Sequence, residues 1–386
     1  MNVRLFRPTV GEEELQNIRE VFDRSWLGLG PTVTQFEKAW SQYIGAPTSV
    51  AVNSGTAALH LALARYGFPE GKKVLVPSLT FVASATCILY NRLKPVFVDV
   101  DPETLQVDPD DLERKADADC VAMVVVHFGG HPAPMERILE VARQKNLKVI
   151  EDCAHSAGGE YPTGALAGRK LGMLSDIGCY SFEEKKGMTC GDGGMLSSPD
   201  PELIEPLRAH RWIGIDKDTW KREKGLAQEA AESRHWHYEV SVLGYKYNMN
   251  DVAAAIGMAQ LEKLDGFNAR KNEILTRYLD GLAHIPRVAP LLPYHLSGSS
   301  YHMFGVRLPQ GERDAWILHL KGLGIATGVH YMPIHLHPLL QREWEGADPT
   351  PVATGLWESF LTLPMHTALT DAEVDHVLHG LSSFPG

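Results

Sequence analysis

Two adjacent lysines, Lys185 and Lys186, lie in a tight loop between the β-rich run Ile177–Phe182 and the glycine-rich turn Gly191–Gly194. A lysine amine can bind an aldehyde covalently as an imine, and glycines let a backbone approach a ligand closely. Neighbouring lysines on their own more often lie solvated at a surface. The loop therefore becomes informative only through the residues that accompany it elsewhere in the chain.

An acid and an aromatic ring each follow another predicted strand. Asp152 ends the run Lys148–Asp152, where the ordinary alternative is a helix N-cap or a surface carboxylate. Phe81 follows the run that ends at Pro77, where the alternative is a core residue. Both side chains are expected at the edge of a sheet where strands end.

A candidate anion cradle, Asn53–Leu59, joins a strand to a helix. The first N–H groups of a helix point at an anion, so we expect the amides of Thr56 and Ala57 to be free donors. The hydroxyls of Ser54 and Thr56 add further donors. A plain N-cap is the alternative interpretation of this segment.

Together these groups match what a pyridoxal-phosphate (PLP) cofactor requires. The aldehyde needs a lysine amine, the pyridine nitrogen needs an acid, the phosphate needs an anion cradle and the ring needs a flat neighbour. A lysine must also lose its proton to act as a base near neutral pH, because its ordinary pKa is about 10.4. We expect an apolar pocket and the charge of Lys185 to lower the pKa of Lys186.

Strand-like and helix-like segments alternate between about residues 49 and 209. The predicted strands are Val50–Asn53, Val74–Pro77, Val96–Val100, Val121–His127, Lys148–Asp152 and Asp176–Phe182. The helix-like segments are Ala57–Arg65, Val82–Asn91, Asp110–Lys115 and Pro134–Gln144. This alternation predicts an α/β fold with a mostly parallel sheet, helices on both faces and ligands at the carboxyl ends of the strands.

The pattern changes after Asp251. A helical run, Val252–Leu264, precedes a second one through Leu279, and strands are predicted around 301–307 and 327–331 before a closing helix at 371–381. We therefore predict a large domain over residues 1–250 and a small α+β domain over 251–386. The polar stretch of about 213–238 is predicted to be an exposed insertion, either an active-site flap or a dimer contact.

Composition narrows the class of protein. The 386 residues carry a formal net charge of −11, which argues against nucleic-acid binding. No apolar run has the length of a bilayer span, and the N-terminus lacks a secretory signal. Five scattered cysteines suggest neither a disulfide framework nor a zinc ribbon. We expect a cytoplasmic protein without a membrane partner.

The motifs resemble, in order and spacing, those of the DegT-type sugar aminotransferases, which are fold type I PLP enzymes. The resemblance runs from about residue 8 to 380. It rests on the segments Asn53–Ala58, Pro77–Phe81, Glu151–His155, Ser181–Lys186 and Gly191–Gly194. Single motifs of this kind are weak, but five in register are specific.

The resemblance implies a role for each matched residue. Lys186 is the Schiff-base lysine, Asp152 pairs with the pyridine nitrogen and Phe81 stacks on the ring. His155 stands where many members have a glutamine near the ring hydroxyl. The implied phosphate cradle is Ser54, Gly55, Thr56, Ala57 and Ser181.

A further segment, Leu243–Asp251, resembles the part of the family that reaches into the neighbouring subunit. Asn248 is the expected contact to the partner's PLP phosphate, with Lys246 as the competing candidate because the local pattern departs from that of many members. Either donor implies a homodimer with shared active sites.

The resemblance also implies where the substrate binds. His330, Tyr331 and His335 match a segment near the acceptor sugar, and Trp26, Leu27 and Gly28 match a loop that approaches it. The spacing His335/His337, like His235/His237, is also seen in metal sites, but no cluster of cysteines or aspartates accompanies it. We predict no metal.

The implied activity is transfer of an amino group from glutamate or glutamine to a keto-sugar, with a nucleotide-linked 4-keto sugar preferred. A lysine at position 186 favours this reaction, since a related branch with histidine there dehydrates its substrate. The alternatives are a keto-inositol (aminocyclitol) aminotransferase, a PLP enzyme that does not transaminate, and a regulator on the same fold. An NAD-dependent enzyme lacks support because no strand precedes a G-x-G-x-x-G motif.

Overall fold

Seven strands form the central sheet of the computed structural model, which describes residues 1–215, 238–294, 300–343 and 349–385. The strands are β1 Thr48–Val52, β2 Lys73–Pro77, β3 Lys94–Val98, β4 Cys120–Val126, β5 Lys148–Asp152, β6 Ile177–Ser181 and β7 Gly194–Ser198. Their order is β1-β7-β6-β5-β4-β2-β3; β7 is antiparallel to β1 and β6, and the other neighbouring pairs are parallel. The predicted α/β class with a mostly parallel sheet is confirmed.

Helices connect the strands and cover the sheet. In the part of the chain before residue 215 they are α1 Glu12–Asp23, α2 Pro31–Ile44, α3 Gly55–Ala64, α4 Ala83–Tyr90, α5 Pro109–Lys115, α6 Met135–Lys145, α7 Pro201–Ile204 and α8 Leu207–Arg211. Alternate residues of β4 show why both faces are covered. Ala122 and Val124 pack in one buried cluster with α3 and α4, whereas Met123 and Val125 pack in another with α5 and α6.

The C-terminal part begins with a single long helix, α9 Asp251–Leu282. Two separate helical runs were predicted there; Gly266 interrupts the apolar pattern, but a helix tolerates one glycine at a cost of about 1 kcal/mol. The remaining helices are α10 Arg313–Gly322, α11 Pro338–Glu343, α12 Pro351–Trp357 and α13 Asp371–Ser382, beside the small sheet of β8 Ala289–Pro290, β9 Phe304–Arg307 and β10 Phe360–Leu363.

One sequence-based expectation about this part needs correction. The strand predicted around 327–331 is reduced to one bridge, in which Gly328 exchanges backbone hydrogen bonds with Thr362. The N-terminus also packs here: Val3 pairs with Ile325 and is buried beside Phe304. The division near residue 250 stays a prediction.

The predicted insertion lies mostly outside the described residues, as do His235 and His237. Among the described residues, no helix is both long and apolar enough to cross a membrane.

Candidate active site

The loops that follow β1, β2, β5 and β6 surround one cavity of about 350 Å³ at the carboxyl edge of the sheet. Parallel strands bring their carboxyl ends to one edge, so loops far apart in sequence meet there. Residues predicted from sequence that line this cavity are Ser54, Gly55, Thr56, Phe81, Asp152, His155, Ser181, Lys186, His330 and Tyr331.

Asp152 is buried at the end of β5. Its Oδ2 accepts a hydrogen bond from Ser84 Oγ at 2.8 Å, and its Oδ1 accepts one from the Ala154 amide at 3.1 Å. Burial raises the pKa of Asp152, while these hydrogen bonds and the charge of Lys186 act in the opposite direction. A cation placed against this carboxylate would favour its ionised form.

Lys186 lies in the turn after β6, where its amide donates to Glu183 O at 2.9 Å. Burial lowers the pKa of Lys186, and the charge of Lys185 acts in the same direction, as expected from sequence. Asp152 and Glu183 oppose the shift. Lys185 is exposed, with Nζ 3.8 Å from Glu183 Oε1. Lys186 is therefore the less exposed member of the pair and the one suited to act as a base.

The anion cradle is the start of α3. Ser54 is its N-cap, and Ser54 Oγ accepts a hydrogen bond of 3.1 Å from the Ala57 amide. The expectation of a free amide at Ala57 was therefore wrong, because the cap uses it, and Ala57 does not line the cavity. The amides that remain at the first turn are those of Gly55 and Thr56, beside the hydroxyl of Ser181.

Gly55 is required for this arrangement. A Cβ atom on Gly55 would lie 2.7 Å from Ser181 Cβ and 3.1 Å from Ser181 Oγ. Any larger residue would push the first turn of α3 away from the end of β6. The close approach brings the amides of the helix and the Ser181 hydroxyl to one place, where both can bind a phosphate.

A column of rings forms another part of the wall. His155 stacks on His302, with ring centroids 4.6 Å apart, and His302 stacks on Phe6 at 5.2 Å. The Gly129 amide donates to His155 Nδ1 at 3.3 Å, so the ring proton lies on Nε2, 3.1 Å from Tyr331 Oη. Burial, followed by the charge of Lys186, lowers the pKa of His155 far below its usual value. His155 is therefore a neutral donor.

Several lining residues were not predicted from sequence. Phe6 and His302 come from opposite ends of the chain, and neither belongs to a motif that follows a strand. Thr80 and Glu183 also line the cavity and lie inside motifs that sequence analysis had selected, which was an available signal. Ser84 supports Asp152 from one turn beyond the Phe81 motif.

His335 was predicted to contact the substrate, and the structure places it elsewhere. Its ring is buried, with Nδ1 3.2 Å from Thr350 Oγ1 and Nε2 3.3 Å from Thr354 Oγ1. These contacts occupy both ring nitrogens, so the ring has no nitrogen left for a sugar or a metal. The neighbouring His330 and Tyr331 do line the cavity.

Two further predicted segments lie outside this chain's own cavity. The loop of Trp26, Leu27 and Gly28 packs against the start of α9, where the Asp251 amide donates to Gly28 O at 2.8 Å. Asn248 Oδ1 accepts a hydrogen bond of 2.8 Å from Lys246 Nζ. Neither segment lines this cavity, so their predicted roles stay predictions.

A buried trio, His127, Glu151 and Cys153, has atoms close enough to hold a metal ion. Hydrogen bonds already use this carboxylate: Glu151 accepts from His127 Nε2 at 3.0 Å and from the amides of Leu174 and Ser175. Through these bonds Glu151 ties the loop before β6 to β5.

The residues around the cavity fit PLP. Phe81 offers an aromatic face that is 53% exposed, Asp152 offers a buried acid, and Gly55 leaves a cradle that a Cβ atom would fill. The Lys186 amine lines the same cavity. These are the four contacts that the cofactor requires.

Comparison with known proteins agrees with this chemistry. The model of the DegT/DnrJ/EryC1/StrS aminotransferase family matches residues 8–382. Spore coat polysaccharide biosynthesis protein SpsC of Bacillus subtilis is 35% identical, over 97% of this chain and 95% of its own length.

Solved structures are similar over the full chain. Aminotransferase TlmJ from Streptoalloteichus hindustanus superposes with a TM-score of 0.89 at 34% identity, covering 99% of this chain and 98% of its own. The PLP-form of the putative sugar aminotransferase Spr1654 from Streptococcus pneumoniae superposes with a TM-score of 0.89 at 26% identity, covering 100% of this chain and 98% of its own. The chain thus belongs to the DegT/DnrJ/EryC1/StrS aminotransferase family and is a PLP-dependent aminotransferase of fold type I.

Proposed function

We propose that this enzyme transfers an amino group from glutamate or glutamine to a nucleotide-linked 4-keto sugar. The observation that carries the proposal is the wall of the cavity. It places the amine of Lys186 and the acid of Asp152 beside hydrogen-bonding rings, His330 and Tyr331, and the exposed face of Phe81. Such a wall suits an acceptor rich in hydroxyl groups.

Lys186 performs the proton transfer. When bound, PLP supplies an aldehyde for the donor amine and an electron sink for the Cα–H bond that breaks. Lys186 would hold that aldehyde and, as a free amine, would act as the general base that moves a proton from the donor Cα to the cofactor carbon. Burial lowers its pKa, which leaves more of the amine unprotonated at neutral pH. In the second half-reaction the same amine would move a proton in the reverse direction, from the cofactor carbon to the carbon of the acceptor that gains nitrogen.

Asp152 and His155 hold the ring of the cofactor. The ionised Asp152 stabilises a protonated pyridine nitrogen, which strengthens the electron sink. Ser84 and the Ala154 amide orient the carboxylate. The neutral His155 donates through Nε2, toward Tyr331 or toward the ring hydroxyl.

Neutral donors also suit the acceptor sugar. Burial lowers the pKa of His330 to about 4, so this imidazole carries no charge at neutral pH. Its Nδ1 lies 2.9 Å from Thr362 Oγ1, which fixes the orientation of the ring. SpsC, a relative at 35% identity, bears a name that refers to polysaccharide biosynthesis. Both observations favour a sugar as the acceptor.

We propose a homodimer with shared active sites. Apolar side chains are exposed around the segment that carries Lys246 and Asn248. They are Leu27 (49% exposed), Ile213 (46%), Val240 (64%) and Leu243 (86%). A second copy of the chain would bury these side chains and bring Asn248 toward the neighbouring phosphate cradle.

We also propose a cytoplasmic location, in keeping with five buried free thiols.

The test is a half-reaction screen. The PLP enzyme is first converted to its amino form with glutamate or with glutamine, and excess donor is removed. Nucleotide-linked 4-keto sugars, 3-keto sugars and keto-inositols are then added separately, and return of the cofactor's original absorbance is followed with mass spectrometry of the product. A 4-keto sugar should react fastest. Preference for a keto-inositol would favour aminocyclitol synthesis, and absence of any donor half-reaction would overturn transamination.

A further inference from the structure

A second, smaller cavity of about 30 Å³ lies behind the loop that carries Lys186. Lys185, Lys186 and His302 line both this cavity and the larger one. Gly187 and Lys271 line the smaller cavity only. Its volume is close to that of one water molecule or one small ion. The proposed reaction uses neither the cavity nor Lys271.

Lys271 projects from α9 into this region. Its side chain is buried, with 3% of the residue exposed, and Nζ has no hydrogen-bond partner among the residues that the structure describes. A Cβ atom on Gly187 would lie 3.5 Å from Nζ, so the amine lies directly beneath the Lys186 loop. An unpaired buried ammonium is costly, because it has lost water without gaining a partner.

The charges around the cavity are predominantly positive. Arg7, Lys185, Lys186 and Lys271 all line it. Among its described lining residues Glu184 alone is acidic, and Glu184 is exposed to solvent. This imbalance leaves a water-sized space with several positive neighbours and no buried carboxylate to compensate them.

We propose that the cavity binds one small anionic group, paired with Lys271 Nζ beneath Gly187. The group is either a free monovalent anion of the size of chloride or a carboxylate of the amino donor that reaches past His302. In both cases it neutralises the buried ammonium and holds the loop that carries Lys186. The donor alternative rests on the proposed transamination, whereas the free anion does not.

Crystals of the PLP enzyme soaked in bromide test the site without substrate or turnover. We expect an anomalous peak within about 3.5 Å of Lys271 Nζ. A second soak adds glutamate: a carboxylate that replaces bromide identifies the donor as the natural source, and persistence of bromide identifies a free anion. A cavity that holds only water in both soaks would overturn the proposal. An anion at this position only at crystal concentration, with no effect in solution, would also overturn it.

The experiment in solution measures thermal unfolding of the PLP enzyme in chloride or bromide. The reference is the same enzyme at the same ionic strength in the salt of a bulky anion. The melting temperature of the wild type should rise by about 2 °C or more with the halide. Lys271→Met should lose this rise, and Lys321→Met, which removes an exposed lysine, should keep it. Equal rises in all three proteins would refute the site. If Lys271→Met fails to fold, the wild-type bromide map and the rise in melting temperature of the wild type together decide.

Discussion

Ser84, in the first turn of α4, donates a hydrogen bond of 2.8 Å to Asp152 at the end of β5. Thr80 Oγ1 lies 3.0 Å from Ser84 Oγ and supplies the hydrogen bond that Ser84 accepts. The carboxylate that we propose to face the pyridine nitrogen is thus held by a short chain of hydroxyls. Because burial raises the pKa of Asp152, this chain helps to keep the acid ionised.

Removing the supporting hydroxyl should weaken cofactor binding and turnover together. A hydrogen bond to a charged group contributes about 1.5–3 kcal/mol, so Ser84→Ala should lower kcat/KM by roughly 10- to 100-fold. Asp152→Asn should cause a larger loss, because the charge itself disappears. Absorbance titration measures the cofactor affinity, and steady-state kinetics measure kcat/KM. A Ser84→Ala enzyme with unchanged cofactor affinity would contradict the role of the chain.

The two neighbouring lysines should behave differently. Lys186→Ala should lose about 10²–10⁴-fold in rate, the usual contribution of a general base, whereas Lys185→Ala should stay within a few-fold of the wild type. Borohydride reduction of the PLP enzyme followed by peptide mapping should place the label on Lys186. A label on Lys185 would reverse the assignment.

Gly55 offers a test of the phosphate cradle. Gly55→Ala places a methyl group 2.7 Å from Ser181 Cβ, so α3 must shift and affinity for the cofactor phosphate should fall at least 10-fold. Gly266→Ala is the matched control, since a Cβ atom there meets no atom within 4 Å. That control should bind PLP normally and gain roughly 0.5–1 kcal/mol in free energy of unfolding. Equal PLP affinities in the two variants would argue against the cradle.

Shared active sites predict complementation between two inactive variants. Lys186→Ala lacks the base, and Asn248→Ala is expected to lack the phosphate contact from the partner. If subunits of the two variants, mixed in equal amounts, exchange freely, half of all dimers contain one subunit of each variant. Each of these hybrid dimers contains one intact site. Activity should therefore recover to roughly a quarter of the wild-type value. If activity does not recover after subunit exchange has been verified, Asn248 acts within its own subunit. A double variant that also carries Lys246→Ala would then be compared.

Lys271 predicts a pH dependence of stability in halide-free buffer. Burial lowers its pKa from an ordinary 10.5 to about 7 in the folded protein. Between these values the unfolded chain binds more protons than the folded one, so the free energy of unfolding rises with pH across this window.

Lys271→Met removes that contribution. The free energy of unfolding of the variant minus that of the wild type should fall by about 3 kcal/mol between pH about 6.5 and pH about 9.5, at about 1.36 kcal/mol per pKa unit. Urea unfolding at the two pH values, in the same cofactor state, measures the change, with Lys321→Met as the control. A difference between wild type and variant that does not vary with pH would show that Lys271 keeps its ordinary pKa.

Much of the site follows from sequence because of how parallel strands end. Asp152 and Ser181 lie at the ends of predicted strands, and Phe81 and Lys186 lie in the loops that follow such strands. The carboxyl ends of parallel strands share one edge of the sheet. Their convergence was therefore predictable without coordinates. Short β-rich apolar runs likewise predicted the strands β1 to β6, with errors of no more than two residues at their ends.

Only the tertiary structure showed which residues outside the sequence motifs line the cavity, and which predicted site residues do not line it. Phe6 and His302 enter the site through packing between segments almost 300 residues apart, and local spacing carries no record of such a contact. His335 resembles a substrate ligand in sequence, yet the two threonines that surround it place it in the core. Burial is a property of the assembled fold, so the buried Lys271 beneath Gly187 also became visible only there.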